Sequence, residues 1–265
     1  MIDDTMRKTA IVIPCYNESH RLKIIEFKKY TEENVWVHFV FVDDGSTDDT
    51  YEILGNLCRT NTSQMLHIKL SNNSGKAEAV RQGILKAMDM DFDIVGYWDA
   101  DLSTPLRSIA TLCEVLNSRR VQIVIGSRVK LLGRRIERLP TRHYVGRIFA
   151  TFASLVLGIA VYDTQCGAKV FETTADFKKI FSRPFNVNWT FDVEILARYK
   201  LINKDIDPYI IEKSVVEYPL EEWIHVPGSK IMVRDYFVGC MELIKIFLLL
   251  RVPGVSDRYL KQFMT

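Results

Sequence analysis

The chain has no uninterrupted run of the roughly 18–20 apolar residues that a membrane-spanning helix needs, although 48% of its 265 residues are hydrophobic. A sizeable buried core is therefore expected and a spanning anchor is not. Cysteine is sparse: Cys15, Cys58, Cys113, Cys166 and Cys240 are scattered, odd in number and never spaced as C-x-x-C. That disfavours a disulfide framework or a zinc site and fits reduced thiols. Net charge is only +2, which excludes a general nucleic-acid binder. No G-x-G-x-x-G follows the first apolar run and no Walker lysine motif appears, so the usual dinucleotide and triphosphate loops are disfavoured. The acidic start Met1-Ile2-Asp3-Asp4 does not read as a signal peptide. His20, His38, His67, His143 and His225 form no ligand-spaced cluster; His143, beside Arg142, is the one of interest.

Charge is unevenly spread. Arg128, Lys130, Arg134, Arg135, Arg138, Arg142 and Arg147 face a single acid, Glu137, within one short stretch. Such a block suggests an anionic partner, with a mobile basic loop as the plain alternative. It leads into an uncharged apolar run, Ile148 to Tyr162. A second run, Tyr236 to Val252, is broken by Glu242, Lys245 and Arg251. Core helices are the ordinary reading of both. A basic block followed at once by an apolar helix also fits a surface that lies on anionic lipid, interfacial and not spanning.

Short apolar runs alternate with helix-like segments. Thr9–Pro14, Val37–Val42, Leu66–Leu70, Ile94–Trp98 and Val121–Gly126 read as strands. Ser19–Asn34, Asp48–Thr60, Gly75–Met90 and Pro105–Arg119 carry apolar residues at helical spacing, and Ser46-Thr47-Asp48 and Thr104-Pro105 are plausible helix starts. This alternation predicts an α/β fold with a mostly parallel sheet flanked by helices. Ligands in such sheets bind beyond the carboxyl ends of the strands. There stand Pro14-Cys15-Tyr16-Asn17-Glu18, Asp43-Asp44-Gly45-Ser46 and Asp99-Ala100-Asp101. Three acidic loops on one rim repel unless a cation or a donor-rich ligand offsets them. Asp99 and Asp101, two residues apart past a buried strand, suit a shared hard cation, Mg2+ or Mn2+, of the kind that bridges phosphate oxygens.

With Ile13 to Glu18, Val42 to Asp48, Asn72-Asn73-Ser74-Gly75-Lys76 and Asp99-Ala100-Asp101 in this order and spacing, the chain resembles the family 2 glycosyltransferases. These are inverting enzymes with a GT-A-type nucleotide-diphospho-sugar fold. Gly126-Ser127-Arg128, Asp163 to Phe171, Trp189 to Glu194, and Trp223 with Gly228-Ser229-Lys230 resemble the polyprenyl-phosphate branch. Within it the likeness is greater to the dolichyl-phosphate β-glucosyltransferases than to the dolichol-phosphate mannose synthases. The mannose synthases often place a metal-binding Gln two residues past the second Asp, where this chain has Ser103.

The resemblance implies a division of labour. Asp43 reads the nucleobase edge, a carboxylate being able to accept the imino N–H of uracil; a turn former is the alternative, and applies more to Asp44. Pro14, Tyr16 and Glu18 form the wall and ribose contact. Lys76 approaches base or phosphate, or is a solvated first-turn lysine. Asp99 and Asp101 hold the metal, Asp101 more directly, and the ion neutralises the departing diphosphate. Ser229 and Lys230 add a cation to the diphosphate or form a solvated turn.

The acceptor decides the remaining chemistry. A hydroxyl nucleophile normally needs a carboxylate base. A phosphate monoester, with a second pKa near ~6, is already largely dianionic and needs positioning and charge compensation. Guanidinium groups hold phosphate bidentately, which makes Arg128 and Arg142 the main candidates for the acceptor phosphate, ahead of Arg138 and Arg147. Asp163 is expected to orient an acceptor-side cation. Asp192 and Glu194 point in different directions on a helix; Asp192 stands where hydroxyl-using relatives keep a base.

The expectation is thus a UDP-sugar donor, UDP-glucose favoured, and a polyprenyl-phosphate acceptor on the cytoplasmic face of a membrane, where the protein is peripheral. Residues 1–230 would form the catalytic domain (1–126 donor half, 127–230 acceptor half) and 231–265 an amphipathic, interfacial tail. Transfer to a saccharide hydroxyl with Asp192 as base is the rival, and a non-catalytic nucleotide-sugar-binding module a further one.

Overall fold

The computed structural model describes residues 7–137, 140–207, 209–226 and 233–264, with backbone alone at 140–143, 233–236 and 262–264. The chain runs β1 (Thr9–Cys15), α1 (Ile24–Glu33), β2 (Val37–Asp43), α2 (Thr50–Thr60), β3 (Met65–Lys69), α3 (Lys76–Met88), β4 (Ile94–Trp98), α4 (Ser108–Arg119) and β5 (Ile123–Ser127). It continues through β6 (Arg135–Ile136), α5 (Pro140–Leu157), β7 (Ala168–Glu172), α6 (Ala175–Ser182), α7 (Phe191–Ile202), α8 (Ile210–Ser214), β8 (Val215–Pro219), β9 (Glu222–Trp223), α9 (Val233–Arg251) and α10 (Pro253–Met264). Seven strands form the main sheet in the order β3-β2-β1-β4-β7-β5-β8, and β6 pairs with β9 in a small second one. Every pairing in the main sheet is parallel except those of β7, which runs against both β4 and β5. The expected α/β architecture with a mostly parallel, helix-flanked sheet is present.

The inner strands β2, β1, β4, β7 and β5 are buried on both faces, so their two-residue alternation sorts side chains into two cores. Ala10, Val12, Val40, Val42, Val95, Tyr97, Ile123 and Ile125 join one core with α3, α5, α6, α7 and α9. Ile11, Ile13, Phe39, Phe41, Ile94, Trp98 and Val124 join the other with α1, α2 and α4. Helix α3 lies close on the sheet because Gly83 has no side chain: a Cβ there would come within 2.4 Å of Val12. That contact fixes where its first residue, Lys76, emerges.

The five strands read from sequence match to within two residues. The helix starts differ more. Residues 19–21 form a turn before α1, and Asp48 precedes α2, accepting from the Thr50 backbone N–H and hydroxyl. Pro105 begins a turn, closed by the Ser108 N–H, that leads into α4. The apolar run 148–162 is helical only to Leu157. Strand β7 gave no separate signal, because its Lys169 interrupts the apolar pattern.

The charge that interrupts the C-terminal apolar run has a structural role. The Glu242 carboxylate, from α9, accepts from the backbone N–H groups of Asn188, Trp189 and Thr190 and from the Thr190 hydroxyl. These donors lie at and just before the N-cap of α7, where an anion is favoured by the helix dipole. Beside it, Gly239 lets α9 meet Trp189, whose ring a Cβ would approach to 2.3 Å. Glu242→Ala should destabilise the protein by about 2 kcal/mol, the range for loss of a buried charged hydrogen-bond acceptor, read as a lower urea midpoint. A change below ~0.5 kcal/mol, the size typical of surface substitutions, would remove Glu242 from this role.

Candidate functional site

The carboxyl ends of β1, β2 and β4 meet on one rim, each shaped by a local backbone requirement. After β1, Asn17 adopts φ 50°, tolerated by Asn. Its side-chain Oδ1 accepts from the Thr47 N–H, and its backbone N–H donates to Ser46 Oγ. After β2, Gly45 takes φ +65°, and a Cβ there would lie 2.6 Å from the Asn72 carbonyl carbon. The loop before α3 can therefore press on this turn. Asp44 ties the two together, accepting from Ser74 and Gly75 N–H at 2.7 and 2.8 Å. Burial raises its pKa, and those amides partly offset the rise.

Beyond β4 the acidic turn is braced at several points. The Trp98 indole donates to the Thr104 carbonyl, Ser103 N–H donates to Asp101 Oδ1 at 2.9 Å, and Asp99 N–H donates to the Gly167 carbonyl. Asp99 folds over Gly167 so tightly that a Cβ there would fall 1.9 Å from Asp99 Oδ2. Lys76 Nζ meets Asp99 Oδ1 at 2.5 Å. Burial works to raise the Asp99 carboxyl, but Lys76, Arg128 and Lys169 together hold it below the usual carboxylate range.

Two clefts share this turn as a wall. One, of about 400 Å3, is lined by Pro14, Tyr16, Glu18, Asp44, Asn73 and Arg21, together with Lys76, Asp99 and Asp101. The other, of about 320 Å3, is lined by the same Lys76, Asp99 and Asp101 and by Arg128, Arg147, Asp163, Asp192, Trp189 and Trp223. Glu18 is paired with Arg21, which adds a cation to the first cleft. Asp43 does not line that cleft. It is fully buried, with Oδ1 accepting from the Ser46 N–H and Oδ2 without a partner among the described residues. Asp44 lines the cavity while also tethering the loop, and Asp43 sits behind it.

In the second cleft Arg128 leaves β5 gripped by Asp163 through Nε at 2.6 Å and Nη2 at 2.7 Å, with its backbone N–H donating to the same carboxylate. Burial would lower the Arg128 pKa, but Asp163 more than reverses this. Glu217 on β8 accepts from the backbone N–H groups of Tyr162 and Asp163 and so holds the gripping segment itself. The Arg128 guanidinium lies 5.5 Å from the Trp223 ring centroid, and that of Arg147 lies 3.6 Å from the Tyr162 ring centroid.

Asp192, in the first turn of α7, accepts on Oδ1 from the buried Lys169 ammonium at 2.5 Å and from the Tyr97 hydroxyl. Glu194 is turned the other way, bound to Arg198, Asn186 and Tyr259. In the sequence Gly167 and Lys169 stand out only as members of the Asp163–Phe171 segment, with no separate role for either.

The basic block is not a single surface. Arg134 pairs with Glu221, and Arg135 with Glu137 and Glu222, so these cations are neutralised locally around the β6–β9 pair. Arg128 and Arg147 enter the cleft. The Arg142 backbone belongs to α5, while its side chain and that of His143 lie outside the described residues, as do Arg138, Ser229 and Lys230.

Among the described residues no cluster of three or more His, Cys, Asp or Glu side chains is grouped as a metal cage. The chemistry of Asp99 and Asp101 nonetheless fits a hard divalent ion. Mg2+ is typically held by one or two carboxylates, with substrate phosphates and water completing its shell.

Residues 10–178 match the glycosyl transferase family 2. The dolichyl-phosphate β-glucosyltransferase of Saccharomyces cerevisiae is 32% identical over 97% of this chain and 78% of its own. The human enzyme of that name is 27% identical over 91% and 79%. In structure, Mycobacterium tuberculosis glucosyl-3-phosphoglycerate synthase, determined with Mn2+, UDP and its product, superposes with a TM-score of 0.59 at 17% identity, over 91% of this chain and 79% of that one. Staphylococcus aureus TarS superposes at 0.54 and 15%, over 94% and 68%. The last two share the fold alone. The family match begins on β1 and runs through β7 into α6, so it contains the whole acidic rim, Arg128 and Asp163: the chain belongs to the family 2 glycosyl transferases, and is related within them to the dolichyl-phosphate glucosyltransferases.

Proposed function

We propose that this protein transfers glucose from UDP-glucose to a polyprenyl phosphate, with inversion, while resting on a membrane surface. The carrying observation is the pair of clefts that meet at Lys76, Asp99 and Asp101. A nucleotide diphosphate in the first cleft would present its glucosyl carbon at this shared wall, and a nucleophile in the second would approach from the far side. The bond from the anomeric carbon to the lipid phosphate oxygen forms as the bond to UDP breaks, and UDP departs.

Asp99 and Asp101 would hold Mg2+ or Mn2+, which supplies positive charge to the leaving diphosphate. Lys76 lines both clefts and can donate to the same oxygens. Arg128, oriented by Asp163, offsets the negative charge of the incoming phosphate and positions it. No proton has to be removed from such a nucleophile. Transfer to a hydroxyl would ask Asp192 to take up a proton, leaving Lys169, 2% exposed, beside a neutral partner. That cost favours the phosphate acceptor.

The surface beside the second cleft supports the lipid assignment. Tyr144, Ile148, Phe152 and Leu155 form an exposed stripe along α5, and Phe237, Met241, Ile244 and Leu248 form one along α9. These spacings of three and four residues place each set on one helix face. The two helices pack on one another. Leu131 and Leu132 are also exposed, next to Lys130, in the turn between β5 and β6. No described helix is long and apolar enough to cross a membrane, so these faces suit one that lies on it.

Three experiments test the proposal. With labelled UDP-glucose, Mn2+ and polyprenyl phosphate, a glucolipid should form; label appearing only on saccharide acceptors would reject the acceptor. Gly167→Ala should displace Asp99 and lower kcat/KM by about 100-fold, the scale of a 1 Å misplacement, with unfolding unchanged within ~1 kcal/mol. Activity near the parental level would show that Asp99 needs no such seat. Arg128→Ala should lower phosphate transfer by about 100-fold or more, whereas Asp192→Asn should impair it only partly. The opposite ranking, in folded variants, would favour a hydroxyl acceptor with Asp192 as base.

A further inference from the structure

A third cavity stands apart from the two clefts. Helix α7 divides them: Asp192 on its first turn lines the catalytic side, while Glu194 lines a groove of about 380 Å3 between α9, α10 and the 186–187 segment. Its walls are mostly apolar, from Val187, Ile246, Leu248, Leu249 and Val255. The one acid in the lining, Glu194, is buried and already bound to Arg198, Tyr259 and Asn186. Two cations, Lys245 and Arg258, also line the groove. Both are exposed, and neither has an ion-pair partner among the described residues.

The groove is continuous with the apolar surface outside. Leu248 belongs to its wall and to the exposed stripe of α9, and Val255 is likewise both lining and exposed. An apolar slot opening onto an apolar helix face, flanked by two uncompensated cations, is complementary to an amphiphile with an acyl chain and an anionic head. The volume, at the low end for ligand cavities, suits part of one chain.

We propose that this groove binds one anionic phospholipid of the supporting membrane, its acyl chain between α9 and α10 and its phosphate between Lys245 and Arg258. The site is separate from donor and acceptor, and it rests on the membrane-surface reading for the source of its ligand. It would fix the rotation of α9 on the surface, in addition to the general adhesion provided by the stripes.

The test uses the full chain and phosphatidylglycerol, in vesicles with phosphatidylcholine and as a detergent-solubilised lipid in native mass spectrometry. The unsubstituted protein should retain one phosphatidylglycerol in preference to phosphatidylcholine. Lys245→Gln/Arg258→Gln should weaken binding to phosphatidylglycerol vesicles by about thirtyfold, two surface cations' worth. Val255→Trp keeps both charges but fills the slot, and should abolish the one-to-one adduct with unchanged thermal unfolding. If the charge variant weakens vesicle binding while Val255→Trp retains the adduct, the cations act only as a surface patch and the groove is not a lipid site. A lipid-free dimer that Val255→Trp converts to monomer would identify a second copy of the chain as the occupant, also overturning the proposal. Adduct formation is read without turnover. Its loss thus leaves the transfer reaction untouched, and failure of transfer with the adduct intact would count against the reaction alone.

Discussion

Asp99, Asp101, Asp163 and Asp192 line a single cleft, and the mutual repulsion of these carboxylates is the constraint the site is arranged around. Each of three has a cation: Lys76 for Asp99, Arg128 for Asp163 and Lys169 for Asp192. The partners arrive from different elements, the start of α3, the end of β5 and the reversed strand β7. Offsetting the charge therefore requires the sheet to be assembled in its native order. Asp101 differs, since among the described residues its Oδ1 accepts from the neighbouring Ser103 N–H and it has no ion-pair partner. In the proposed reaction it is the carboxylate with most to gain from an incoming ion.

The same economy governs the acceptor side. Arg128 is not left to sample solvent: Asp163 fixes it, and Glu217 fixes the backbone of Asp163. A guanidinium so held loses little entropy when a phosphate arrives, the gain expected from preorganisation. Helix α7 is set comparably, with Glu242 of α9 at its start and Glu194 anchoring its other side to the Asn186 and Val187 N–H groups and the Tyr259 hydroxyl. The C-terminal helices thus reach the catalytic cleft through hydrogen bonds, beyond the packing of Leu243 and Ile246 into the core.

Much of this was legible in the sequence. Strands β1 to β5 announce themselves as short, apolar runs, and the acidic rim follows because those of β1, β2 and β4 lead into Glu18, Asp43-Asp44 and Asp99-Ala100-Asp101. The position of Arg128 after β5 and the expectation that Asp163 would orient a cation match the geometry found. What the sequence concealed were relations across the sheet. Asp43 and Asp44 are adjacent, so nothing local distinguishes the buried one from the one lining the cavity; the close approach of the Asn72–Gly75 loop decides it. The arginines 128–147 look alike as a string, yet Glu221 and Glu222, nearly ninety residues away from Arg134 and Arg135, neutralise two of them. Lys169 as partner of Asp192 depends on β7 running antiparallel between β4 and β5, which no single-strand pattern encodes.

That reversed strand has a mechanical corollary. Because β7 runs opposite to its neighbours, it delivers its beginning to the rim, and the residues just before it are Asp163 to Gly167. The chain reaches them from the end of α5 in a link of only ten residues, 158 to 167. The helix with the exposed stripe and the seat of Asp99 are thus two ends of one short tether. Immobilising α5 against a support would restrict the excursions of that tether, so attachment would act on how tightly the reacting groups are held as well as on where the protein resides.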